Sequence, residues 1–92
     1  MIASNELRNV LSEDRAERNR RRLVTVCRKA GLPPVSYEVN AARNVLRVRD
    51  GNLTHPFGIG PNAGEAYLRS AEQQIAEIAA RRLIRINGGR SA

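Results

Sequence analysis

The sequence predicts an α+β fold of order α-β-β-β-α: a three-stranded antiparallel sheet covered on one face by two helices, plus an N-terminal helical extension. Three observations predict it. Between Ala63 and Ile86, Leu68, Ala71, Ile75, Ile78, Ala79, Leu83 and Ile86 recur at three- and four-residue steps, the period of a helix. Between residues 35 and 57, three short stretches rich in valine and leucine are separated by turn residues. Gly31 and the Pro33-Pro34 pair divide a helical N-terminal third from those strands.

From the N-terminus, Leu7, Val10 and Leu11 stand at helical spacing in a short helix over residues 4–11. Ser12 followed by Glu13 and Asp14 has the form of a second N-cap with acids in the first turn. The next apolar set, Leu23, Val26, Cys27 and Ala30, lies nearly opposite Leu7 and Leu11 on one continuous helical wheel. Two arrangements fit: the helix breaks near Ser12, or one long helix offers apolar faces to two neighbours. Leu7, Val10 and Leu11 are therefore candidates for a protein interface, or for folding back on their own domain.

Gly31 is a good residue to end this helix, and the prolines forbid its continuation. Val35 to Val39 alternates apolar and polar residues as a half-buried strand does. Asn40 to Arg43 makes a short connection to a second strand, Asn44 to Arg49, and Asp50-Gly51-Asn52 signals a hairpin. Leu53 to Phe57 is the third strand, and Pro56, which cannot donate to a ladder, places it at an edge. Asn62, with Glu65 three residues on, has capping-box spacing before the long helix. Asn87-Gly88-Gly89 ends that helix, leaving residues 88–92 as a flexible tail.

Ninety-two residues are enough for one domain with one core and leave no room for a deep cleft. Cys27 has no second cysteine to pair with, which favours a reducing compartment. No apolar run approaches the length of a membrane span, and no signal-peptide core is present. The expectation is an intracellular, cytoplasmic protein with no membrane partner.

Charge is the strongest compositional signal. Sixteen basic residues face nine acidic ones, a formal net charge of +7, and Lys29 is the only lysine. Arginine offers a planar forked donor set suited to phosphate, and the excess points to a polyanion. A coding bias toward arginine would account for the arginine-to-lysine ratio but not for the excess. Arg18, Arg20, Arg21 and Arg22 crowd the middle of the first helix, with Arg15 one turn earlier. Such like charges repel. Glu13, Asp14 and Glu17 offset part of that locally, and a phosphate backbone would offset more.

The runs LVTVCRKAGLPPVSYEV and VLRVRDGN, a glycine pair, and AEQQIAEIAARRL together resemble a double-stranded-RNA-binding domain (dsRBD), over roughly Arg20 to Ile86. The best matches are Leu23 to Leu32, the Pro-x-x-Tyr-Glu-Val stretch, and the alanine-studded helix from Ala71. On that resemblance residues 1–19 are an N-terminal helical extension and 20–87 the domain. The resemblance implies binding of double-stranded RNA largely without sequence preference, through 2′-hydroxyls and phosphates. It assigns the contact to Arg18, Arg21, Arg22, Thr25, Arg28 and Lys29 of the first helix and to Arg69 of the last, with Arg47 or Arg49 as additions.

The chain also departs from the family. The connection Asn40-Ala41-Ala42-Arg43 lacks the Gly-Pro-x-His-like tip that enters the next minor groove. Leu68 and Arg69 occupy the paired lysine positions, so only Arg69 matches, and Glu65 and Glu72 bring negative charge. Those departures imply weak or rearranged RNA binding, or a domain that binds protein instead. Arg81, Arg82, Arg85 and Arg90 complement the C-terminal helix dipole, and His55 reads as structural.

Catalysis is set aside. Cys27 sits on the apolar stripe of the first helix, and one cysteine with one histidine cannot supply a zinc site. Gly58, Gly60 and Gly64 loosely resemble a nucleotide loop but do not follow a parallel βαβ unit. No catalytic residue, metal or cofactor is expected. Two further readings stand beside RNA binding. One is a protein-interaction or dimerisation module that pairs through the N-terminal helix or the edge strand. The other is a basic component of a ribonucleoprotein or viral assembly.

Overall fold

The computed structural model describes the backbone of residues 4–90 and the side chains of residues 11–84. In chain order it holds α1 (Ser4–Lys29), a 3₁₀ turn (Pro34–Ser36), β1 (Tyr37–Asn40), a second 3₁₀ turn (Ala41–Arg43), β2 (Val45–Asp50), β3 (Leu53–Gly58) and α2 (Glu65–Arg90). The sheet is antiparallel in the order β1-β2-β3, so β3 is an edge strand, as Pro56 required. The fold is α+β.

Of the two arrangements open for the N-terminal segment, the structure takes the second: α1 is one helix from Ser4 to Lys29. Ser12 does not cap a new helix. The sequence there holds neither glycine nor proline, and helical spacing brings Asp14 onto Arg18 at 3.0 Å and Glu17 onto Arg21 at 3.1 Å. α1 also crosses residues 19 and 20 unbroken, and Asn19 donates from Nδ2 to the Gly60 carbonyl at 2.9 Å. The helix ends in a Schellman motif. Leu32 N–H donates to the Cys27 carbonyl and Gly31 N–H to that of Arg28, both at 3.0 Å, with Gly31 at φ +84°.

The expected strand over residues 35–39 forms only from Tyr37 onward. Pro34 sets the first position of a 3₁₀ turn instead, Ser36 N–H donates to the Pro33 carbonyl at 2.8 Å, and Val35 is exposed. Pairing begins at Tyr37, opposite Val48. β2 starts one residue later than expected because Asn44 takes φ +52°, closing the second 3₁₀ turn rather than entering the ladder. Gly51 and Asn52 form a two-residue hairpin between paired Asp50 and Leu53. Gly51, at φ +63°, stands at the first of its two positions, as a type II′ turn uses glycine.

α2 differs from expectation at both ends. It starts at Glu65, so Asn62 lies in the preceding turn and is not the cap; the first helical bond runs from Leu68 N–H to the Gly64 carbonyl at 2.9 Å. It continues to Arg90, through the Asn87-Gly88-Gly89 stretch expected to end it. Glycine weakens a helix interior without forbidding it. Residues 91–92 of the expected tail lie outside the described residues.

The core lies between the sheet and the two helices. Leu46, Val48 and Phe57 come from the sheet, Leu23 and Cys27 from α1, and Leu68, Ala71, Ile75 and Ile78 from α2, with Leu32 and Ile59 closing the sides. α2 is buried only as far as Ala79, which packs half-buried against the core. Leu83 is exposed, and the Ile86 side chain lies outside the described residues.

Candidate nucleic-acid interface

The seven residues expected to meet RNA do not form one uniform set. Arg18, Arg21, Thr25 and Arg28 follow one another at steps of three, four and three along α1, which places them on one face. All four are exposed, as is Lys29. Ten residues of helix span ~15 Å. Arg20, Arg21, Thr25 and Arg28 also line an open groove with Val24, Val39 and Ala41, between α1 and the β1 edge of the sheet. Thus the first helix and the β1–β2 connection lie side by side.

Arg22 and Arg69 are different. Arg22 donates from Nη1 to Glu65 Oε2 at 2.7 Å and from Nη2 to Glu65 Oε1 at 3.0 Å. The same guanidinium reaches Glu72 Oε1 from Nε at 3.0 Å and from Nη2 at 2.5 Å. Its hydrogen bonds to Glu65 and then Glu72 hold its pKa above the ordinary arginine value. Arg69 Nε donates to Glu65 Oε1 at 3.1 Å. Hydrogen bonding by Arg22, ahead of that by Arg69, takes the Glu65 carboxyl down to about 2. The acids at the start of α2 therefore hold this helix to α1 and engage the two cations that the family resemblance assigns to RNA.

Arg18 and Arg21 are paired more loosely, with Asp14 and Glu17 on their own helix, and their side chains are 77% and 76% exposed. Exposed pairs of this kind contribute little and are weakened by salt, so phosphate can compete for the arginines. Glu17 also accepts from Arg20, the leading cause of its lowered pKa. Among the described residues, Arg15, Arg28, Lys29, Arg43, Arg47 and Arg49 form no ion pair.

Arg47 and Arg49 alternate with buried Leu46 and Val48, so they project from the face of the sheet opposite both helices. They do not join the α1 stripe. The β1–β2 connection is a single 3₁₀ turn, with the Asn40 side chain accepting from Arg43 N–H at 3.2 Å. Arg43 is its one cation, and it is exposed.

At the far end of α2, Arg81 pairs with Asp50 at 3.3 Å and Arg82 donates to the Ser36 hydroxyl, which ties the helix to the sheet. His55 is half-buried, its Nε2 4.0 Å from Asp50 Oδ2. Of the interface expected at Leu7, Val10 and Leu11, only Leu11 falls among the described side chains, and it is 52% exposed.

Sequence reasoning left Arg20 and Arg43 out of the contact set. Arg20 was visible in the basic cluster; the place of Arg43 beside α1 depends on a turn with no sequence signature. No helix among the described residues is long and apolar enough to cross a membrane. Comparison with protein-family models, with curated proteins and with solved structures gives no match for this chain.

Proposed function

We propose that the protein is a dsRBD-like module that binds double-stranded RNA largely without sequence preference, through the exposed stripe Arg18, Arg21, Thr25, Arg28 and Lys29. One observation carries this reading: the exposed cations of α1 fall on a single face, beside the β1–β2 connection that bears Arg43. Guanidinium and ammonium groups in such a line suit phosphates, and Thr25 adds a hydroxyl for the sugar edge. Arg22 acts indirectly, by fixing α2 against α1, and Arg69 supports Glu65 from within α2. The short 3₁₀ turn offers little reach into a second minor groove, so the contact is more electrostatic than in the family it resembles.

The test is fluorescence anisotropy with duplex RNA, duplex DNA and single-stranded RNA, comparing the wild type with Arg21→Glu/Arg28→Glu. Preference for duplex RNA, lost in the variant, supports the reading. Equal affinity for all three nucleic acids, or an unaffected variant, refutes it. Arg22 is a poor probe here, since its removal strands Glu65 and Glu72.

A further inference from the structure

The open groove between α1 and β1 has a mixed lining that phosphate attraction alone does not explain. Val24 of α1, Val39 of β1 and Ala41 of the following turn give it an apolar floor. Val24 and Val39 are half-buried against the core, and Ala41 is exposed. Arg21 and Arg28 stand along the α1 side, two turns or ~10.5 Å apart, with Thr25 between them. The hollow holds about 630 Å³, inside the ~300–1,000 Å³ of sites that take small organic ligands.

A paired, stacked stretch of duplex offers that floor nothing. Its outer surface is phosphate, sugar and polar base edges, and the apolar base faces are covered by their neighbours. A base face becomes available where a nucleotide is unpaired and turned out of the stack, and proteins receive it on apolar or guanidinium surfaces with hydrogen bonds to its edge. β1 pairs with β2 alone, so among the described residues alternate backbone N–H and C=O groups on its free side lack a strand partner and can meet such an edge. Arg28 forms no ion pair among the described residues, and Arg21 holds Glu17 only through an exposed contact within its own helix. Both are open to the phosphates on either side of an extruded nucleotide.

We propose that this groove takes one unpaired nucleotide of an RNA duplex, its base face seated on Val24, Val39 and Ala41 and its flanking phosphates on Arg21 and Arg28. The inference rests on the duplex-RNA reading and deepens it: the preferred substrate is a duplex interrupted by a bulged nucleotide. Because a backbone edge offers both donors and acceptors, the identity of the bulged base matters little.

Fluorescence anisotropy of the full chain tests it, with a perfect RNA duplex and the same duplex carrying one bulged nucleotide. The wild type should bind the bulged duplex about fivefold tighter, the low end of what one seated base contributes. Ala41→Gln, which fills the groove with a neutral polar chain, should bring the two affinities together without weakening the perfect duplex. Val39→Thr, which keeps the shape of the floor and removes a methyl group, should narrow the gap in the same direction. Circular dichroism checks that both variants fold, and Ala41 is exposed, so that variant keeps the test open if Val39→Thr does not. Equal wild-type affinity for the two duplexes overturns the inference and leaves the duplex-RNA reading standing. A bulge preference that survives Ala41→Gln also overturns it, since bending at the bulge would then explain the preference. Binding to neither RNA overturns both readings. Binding of an alternating leucine–glutamate peptide in place of both RNAs would give the groove to an acidic strand beside β1, and likewise overturns both.

Discussion

Arg22 grips Glu65 with two nearly parallel hydrogen bonds, at 2.7 and 3.0 Å, across 43 residues of sequence. The fork-to-carboxylate match fixes where the first turn of α2 lies against α1. It also makes the fold sensitive to acid. Glu65 ionises at about 2 in the folded protein against 4.5 for an ordinary glutamate, so its depressed value adds its full stability only where the carboxylate is charged in both states.

That stability is fully present above about pH 4.5 and is lost as the pH falls toward 2. Urea midpoints should therefore decline through this window. In Arg22→Ala the midpoint at neutral pH should be lower and its decline in acid shallower. Equal acid slopes in the two proteins would show that Glu65 is not the sensor.

Duplex RNA affinity should fall linearly on a plot of log Kd against log salt, with a slope set by the phosphates neutralised. Arg28→Glu should weaken binding by about tenfold or more and reduce the slope by about 1 or more, whatever the sequence of the duplex. Arg47→Glu, on the opposite face of the sheet, should lower affinity much less. Titrations at several salt concentrations separate the two faces.

Ile75 is fully buried between the sheet and α1. Replacing it with alanine should cost ~2–5 kcal/mol, the range for deleting a buried branched side chain in a packed core. In a domain this small each kcal/mol lowers the melting midpoint by ~4–8 °C. Calorimetry of Ile75→Ala should show a large drop or no cooperative transition.

Gly31 tests the helix stop without touching the core. A Cβ there would meet nothing within 4 Å, yet φ is +84°. Gly31→Ala should therefore cost ~1 kcal/mol through backbone strain alone, and Gly31→Asn less. Chemical denaturation of the pair measures the difference.

The elements whose signal is local were legible in the sequence. Leu68, Ala71, Ile75 and Ile78 announce their own buried face, and Gly31 with Pro33 announces a stop. The errors came where two local signals competed. Val35, Tyr37 and Val39 alternate as a strand does, but Pro34 turns the backbone before pairing can begin. Gly88 and Gly89 look like a terminator, although glycine only weakens a helix. The site was legible in composition more than in arrangement. The Arg69–Glu65 pair is at i,i+4 spacing within α2, but that Arg22 would be held by Glu65 and Glu72, while Arg28 and Lys29 stayed unpaired, depends on which turn of α1 lies against α2. No spacing within α1 encodes that.

Cys27, the chain's single thiol, is shut into the core beside the end of α1, and burial pushes it up to about 11. A cysteine introduced anywhere on the surface would thus be the sole fast-reacting position for a maleimide dye. Slow uptake of reagent at Cys27 itself would time how often the first helix lifts from its neighbours, giving a chemical clock for breathing of the native state.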